Sequence, residues 1–358
     1  MGTPVLESVG PVTFGPGDVL FVADNRRAAV VAIDVADPAP AAAGEPFDLE
    51  DLDAKLASYL GCAVKDVSIR DLAVHPRTHN VYLSVMRGSG DAARPVIIRI
   101  DRADGTVSAL SLDAVAWSEV AITDAPAIDD ERLETSLAEG DEGEEMTFGD
   151  RTFRIVRAPV RMATVTDLKY VDGTLLVAGL SNEEFASTLR RIPFPFTGDV
   201  ASTGLEIFHV SHGQWETAAP IRTFVPYQGG TSILASYTCT PLVHFPLGDL
   251  QPGAKARGRT VAELGSGNTP LDIVSFTREG EEFLLVSHTS HPLMKIACSD
   301  IDGQEPLTEP REPVGVPRQL PELQGIGRMD NLNGDYVLAI QRDERGGRHL
   351  RSLKTAGL

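Results

Sequence analysis

One phrase recurs along this chain: an apolar run, a turn, a second apolar run ending in polar residues, then a third run. It appears first as Val12–Gly15, Val19–Asp24 and Ala29–Asp34, and again as Asp71–Val74, Asn80–Val85 and Pro95–Asp101. Later copies are Asp167–Tyr170, Thr174–Gly179 and Thr188–Ile192, then Arg222–Val225, Ser232–Tyr237 and Leu242–Phe245. The last two are Asp272–Phe276, Glu282–His288 and Leu293–Cys298, and Arg328–Leu332, Tyr336–Ile340 and His349–Leu353. The runs are short and rich in β-branched residues, and Gly, Pro, Asp and Asn separate them, which is the pattern of strands. Starts lie about 50 to 60 residues apart except across one wide gap, a period that suits a four-stranded propeller blade. A lone blade cannot cover both its faces, but stacked blades can.

The expected fold is therefore all-β, a β-propeller of six blades, or seven if the gap at 113–160 hides another. Met146–Phe148 and Thr152–Val156, joined at Gly149–Asp150, read as a hairpin inside that gap. One helix interrupts the pattern at 48–60. Leu49, Leu52, Leu56 and Leu60 share a face, with Asp48 as N-cap and Gly61 as C-cap. No convincing linker divides the chain, so one domain is expected over 1–358, decorated by the helix and by an acidic insertion at 113–160.

Charge narrows the partners. Against 32 basic side chains stand 51 acidic ones, a net charge of -19. A nucleic acid would be repelled by such a chain unless a large basic patch existed. Nine of the acids crowd into Asp129–Glu145 with one base, Arg132. That spacing fits no ordered calcium loop. It reads as a solvated flap, or as a docking surface for a basic protein. No apolar run approaches the length of a membrane span. Met1–Gly10 lacks the features of a signal peptide, so a soluble, cytoplasmic protein is expected, or a periplasmic or secreted one if a leader has been removed. Cys62, Cys239 and Cys298 are too few for a disulfide framework and read as small buried hydrophobes.

The stretch Phe14–Asn25 followed by Ala28–Asp34 resembles a blade of the NHL and SMP-30/gluconolactonase-like six-bladed propellers. That resemblance implies a divalent metal in the central channel, held by a Glu, an Asn and an Asp, and small-molecule hydrolysis there. No Glu of this chain stands at the matching first-strand position.

In a propeller, the starts of the inner strands and the ends of the second strands converge around the axis, and the mouth there is the default ligand site. Aligning the six phrases places Val12, Asp71, Asp167, Arg222, Asp272 and Arg328 at the first of these positions. A buried charge needs a partner. Either Asp–Arg salt bridges close the channel, or some acids bind a cation and move protons while an Arg holds an anionic substrate. The second ring brings Asp24, Asn25, Asn182, Tyr237, Cys239, His288, His291 and Gln341. The enzymatic assignment gives catalysis to Asp272, His288 and Asp71, substrate binding to Arg222, Arg328 and Tyr237, and a divalent metal, calcium- or zinc-like, to Asp167, Asn25, Asn182 and Asp24.

Cys239 could serve as a soft metal ligand or nucleophile. His209 and His212 are close enough in sequence to share a metal, but they follow an outer strand and are expected at the surface. No P-loop, G-x-S-x-G, H-E-x-x-H, C-x-x-C or dinucleotide fingerprint occurs, which disfavours ATP- and nicotinamide-dependent chemistry. Three functions compete: a metal-dependent hydrolase of a lactone- or ester-like small molecule, a non-catalytic propeller binding a small ligand or a protein, and a redox or copper-type site built on Cys239 and His288.

Overall fold

The structure, a computed structural model, describes residues 1–37, 45–138, 143–148, 151–310 and 314–358. All six recurring phrases fold as consecutive antiparallel strands, so the fold class is all-β, built from the up-and-down meanders that form propeller blades. Among the described residues, no helix is long and apolar enough to cross a membrane. The chain divides into two compact units, residues 1–122 with 324–358, and residues 123–323.

In the first unit, Val12–Phe14, Val19–Asp24 and Ala29–Asp34 form one meander. Its outer strand is Trp117–Ala121, supplied from beyond the second meander. The expected insertion from 113 thus begins by completing a sheet. Trp117–Ala121 was not recognisable as a strand because it alternates weakly and is largely exposed. The second meander runs Val67–Val74, Val81–Arg87, Arg94–Ile100 and Val107–Ala109. The last runs Ile326–Asn331, Tyr336–Arg342 and Arg348–Lys354. Inner strands Ile326–Asn331, Val67–Val74 and Val12–Phe14 pack side by side.

The helix spans Leu52–Leu60 and ends at Gly61, whose φ of 64° closes it in the left-handed region as expected. Its start lies later than the leucine spacing suggests. Leu49 pairs with Leu350 as a β-bridge and Asp48 accepts from the Ser352 N–H, so both are held extended rather than helical. Leu52 and Leu56 are fully buried among Leu338, Ile340 and Leu350 of the last meander and Leu83 and Ile98 of the second. Each buried leucine contributes about 1.5–3 kcal/mol.

In the second unit, one meander runs Asp167–Val171, Thr174–Leu180, Ser187–Pro193 and Ala201–His209, and Gln214–Glu216 folds back on the last of these. The next runs Thr223–Tyr227, Ser232–Ser236, Pro241–Pro246 and Arg259–Glu263. A third comprises Pro270–Arg278, Glu281–His288 and Met294–Ala297. Here too the inner strands are neighbours.

The hairpin foreseen in the gap is present. Glu144–Phe148 pairs with Arg151–Pro159, which pairs in turn with Leu133–Leu137. Its turn at 149–150, and Glu139, Asp141 and Glu142 of the acidic run, lie outside the described residues. Several remaining acids meet arginines within the same unit: Glu145 with Arg154, Glu144 with Arg157, Asp130 with Arg132 and Glu134 with Arg222.

Candidate metal centre

The recurring inner-strand acids bond to a neighbouring inner strand. Asp71 Oδ2 accepts from Val12 N at 2.8 Å. Asp167 Oδ2 accepts from Phe224 N at 2.8 Å and Thr223 Oγ1 at 3.0 Å, while its Oδ1 takes Leu168 N and Lys169 Nζ. Asp272 Oδ1 accepts from Ile273 N and lies 3.3 Å from the same Thr223 hydroxyl. Asp330, which sequence alignment passed over for Arg328, does the same for Val74 N at 2.7 Å. Carboxylates thus cross-link adjacent inner strands through Asp–amide and Asp–hydroxyl bonds. Asp167→Ala is expected to cost about 1–3 kcal/mol, because two buried donors lose their acceptor. Urea denaturation reads this, and Asp167→Asn, which keeps one acceptor oxygen, should cost less.

The other expected site residues fall in both units. Asp24 is enclosed by Glu7 N, Ser8 N and Ser8 Oγ, and Asn25 is buried beside it in the first unit. Arg328 lies half-buried in that unit, at the irregularity between Ile326 and Met329. In the second unit Asn182 is exposed and accepts from Arg132 Nη2. Arg222 is held by Thr238 Oγ1 at 2.9 Å and by Glu134. Tyr237 is buried, and burial pushes its phenol up, with Ser187 opposing. His288 is 5% exposed, with neither ring nitrogen in a hydrogen bond.

A different cluster comes together in the second unit. Strand Ala201–His209 ends on His209, turns through Val210–Gly213 and returns as Gln214–Glu216, pairing Ile207 with Glu216. Gly213 is required there, since its φ is 64° and a Cβ would meet Pro310 Cγ at 2.8 Å. The tight turn lays the His209 and His212 rings 3.9 Å apart, and one carboxylate takes both. Glu216 Oε2 meets His209 Nδ1 at 2.8 Å and Oε1 meets His212 Nδ1 at 2.6 Å. Burial would raise the Glu216 carboxyl, but these bonds, with Gln214, overrule it and hold it at about 2.

Cys239 enters from another turn. Strand Arg259–Glu263 explains the meeting. It pairs with Pro241–Pro246, which follows the cysteine, and its Thr260 Oγ1 donates to Phe208 O at 2.7 Å, beside the histidine hairpin. Cys239 and Thr240 have φ of 64° and 60°, which costs of the order of 1–3 kcal/mol each in non-glycine residues. Cys239 N bonded to Asn268 O and Thr240 Oγ1 bonded to Gly265 O hold the turn in place. Such strain persists only where the surroundings impose it, and it collects at functional sites.

His209, His212 and Cys239 each offer a ligand atom, and these atoms lie within 4.8 Å of one another. His209 is 3% exposed, and its Nε2 makes no hydrogen bond. Fully buried Glu263 places Oε1 3.8 Å from that nitrogen, its other oxygen accepting from Ser211 N. Two imidazoles and a thiolate suit zinc or copper, not calcium or magnesium. A shared carboxylate placed like Glu216 is what orients histidines and fixes their tautomer in metal sites. His212, half-exposed, leaves one side open to solvent. The expected peripheral placing of the two histidines holds for His212 but not for His209.

The proximity of His209 and His212 was visible in sequence, but the parts played by Glu216 and Cys239 were not. Within the described residues, the three-ligand group pairs Cys239 with these histidines rather than with His288.

No model of a known protein family matches the chain. No curated protein matches it either. Solved structures similar to it include the PQQ-bound aldose sugar dehydrogenase of Streptomyces coelicolor, at 13% identity over 99% of this chain and 95% of that one, TM-score 0.35. The Cps50 (Swd1) β-propeller domain of Myceliophteria thermophila is similar at 11% identity over 97% and 83%, TM-score 0.39. U3-55K is similar at 10% identity over 98% and 97%, TM-score 0.39.

Proposed function

We propose that this chain is a six-bladed propeller enzyme whose metal ion, bound by His209, His212 and Cys239, activates water against an ester- or lactone-like small molecule. The carrying observation is the buried, hydrogen-bond-free Nε2 of His209 in a group whose two Nδ1 atoms are clamped by one carboxylate. Three protein ligands leave a fourth position for water, as catalytic zinc sites do. A metal there lowers the pKa of bound water and polarises a carbonyl. Glu263, next to His209, is the base that would accept the proton. This moves the metal from the channel-mouth acids, which cross-link blades, to the histidine hairpin. The resemblance to the SMP-30-like propellers favours the hydrolytic class, though with a different ligand set.

A second reading follows from the same donors, because two histidines and a cysteine are also the set of electron-transfer copper sites. Metal analysis of protein purified without added metal decides between them. About one equivalent of zinc, and a model-ester activity lost to a chelator and restored by zinc, are expected. At zinc a thousandfold above Kd, folding should gain about 4 kcal/mol. Retained copper with a visible thiolate band would favour the redox reading, whereas no retained metal and no thermal shift with zinc or copper would sink both.

A further inference from the structure

We propose that the outer edge of strand Glu144–Phe148 takes an extended, basic segment of a partner protein as an added strand.

Main-chain hydrogen bonds single out that edge. The three-stranded sheet runs Glu144–Phe148, Arg151–Pro159, Leu133–Leu137, so its first and last strands each have one outer edge. Ala138 N donates to Arg154 O at 2.8 Å. The Arg154 main chain is thereby turned toward Leu133–Leu137 and away from Glu145, the residue opposite it. Along an antiparallel pair such facing alternates residue by residue. Glu144 and Met146 therefore bond to Arg151–Pro159, while the N–H and C=O groups of Glu145 and Thr147 point outward. The same alternation turns Thr135 and Leu137 outward on the far side, where other parts of the unit meet them. Leu137 N donates to Thr269 Oγ1 at 3.1 Å, and Thr135 O accepts from Arg222 Nη2 at 3.3 Å. No described residue bonds to the outward main-chain groups of Glu145 and Thr147. Two donors and two acceptors in a row are a template for one more strand.

The edge side chains set what fits. Met146 shares a sheet face with Phe153, the residue opposite it, and Phe153 lies against Gly267, where a Cβ would meet its Cε1 at 2.6 Å. Glu145 and Thr147 are on the other face and are exposed, as is Met146 at the border of its own. An incoming strand thus meets an acid on one face and a thioether on the other, which calls for basic residues alternating with apolar ones. Nine acids against one base in Asp129–Glu145 favour a cationic segment and repel a second copy of this chain. Arg154 and Arg157 reach Glu145 and Glu144, but both acids stay largely exposed, and exposed ion pairs are weak enough for an incoming cation to share them.

Titration of the full chain with a capped heptapeptide alternating Lys and Val tests this, read by calorimetry and amide exchange. Saturable binding that protects the Glu145 and Thr147 amides is expected. Two further peptides, N-methylated at the Lys amides or at the Val amides, keep the charge but each lose the donors of one edge. One of them should bind at least about tenfold more weakly than the other, as the loss of two main-chain hydrogen bonds implies. Thr147→Pro removes one outward donor, spares the bonds to Arg151–Pro159, and should also weaken binding. Should that variant melt early, the methylated peptides on the parent protein decide. A chelator should leave peptide binding unchanged, so this surface and the metal site can fail separately. The proposal is overturned by absence of saturable binding, by equal affinity for the two methylated peptides, or by equal binding of a Glu–Val heptapeptide. A dimer of the chain that the Lys–Val peptide dissociates would overturn it too, since the edge would then belong to a second copy.

Discussion

Cys239→Ser is expected to bind zinc at least a hundredfold more weakly than the parent protein while remaining folded. The thiolate is the one anionic ligand of the three-residue group and the softest donor in it. A serine hydroxyl is neutral at pH 7 and a poor ligand, and a hundredfold loss corresponds to about 2.8 kcal/mol. The turn need not change, because serine meets the same steric demand at a φ of 64° as cysteine does. His209→Ala should lose at least as much, since it also frees Glu216 from one imidazole. Glu216→Gln should cost about 10–100-fold through ligand orientation alone. Competition with a chromogenic chelator reads all three affinities. Cobalt substitution adds a signature that a structural role would not move: a sulfur-to-cobalt charge-transfer band present in the parent and absent in Cys239→Ser. Equal zinc affinity in parent and variant would remove Cys239 from the site.

The blade strands were legible because burial on sheet faces imposes short apolar runs with turn residues between them. Leu20–Ala23, Leu175–Ala178 and Leu284–Val286 are buried along their lengths and stand out in any window. Outer strands carry a weaker signal. Trp117–Ala121 has one buried residue, Val120, so little but main-chain pairing marks it as a strand. The inner-strand charge was legible as a recurrence, and the need for a partner followed from desolvation. The partner itself was not legible, because amides such as Val12 N and Phe224 N leave no mark in the residue pattern. The proposed metal cluster divides in the same way. His209 and His212 can be read from spacing, whereas Glu216 joins them through the pairing of one hairpin. Cys239 reaches them only through Arg259–Glu263, which pairs with one strand and bonds to another. That adjacency belongs to sheet order, which local periodicity does not encode.

His288, the histidine that sequence placed at the catalytic mouth, should instead dominate the acid limb of stability. Burial, foremost, and then His291 push its imidazole down to about 3; Arg318 adds slightly and the Pro292 backbone opposes. Unfolded, the same ring titrates near 6.5. Between those values the unfolded chain binds a proton that the native chain refuses, so the contribution is fully present above pH 6.5 and is lost as pH falls toward 3. The slope is at most about 1.4 kcal/mol per pH unit, on the order of 5 kcal/mol across the window. Replacing His288 by Leu removes the proton-binding difference. Urea unfolding at intervals from pH 7 to 4 should show the parent losing stability faster than His288→Leu. The two slopes are compared rather than the absolute values, so a variant that is less stable throughout still gives the answer. The imidazole resonance of His288 should stay neutral down to the acid transition. A ring titrating near pH 7 in the folded protein would restore His288 as a candidate general base, because a base serves catalysis best when its pKa lies near the working pH.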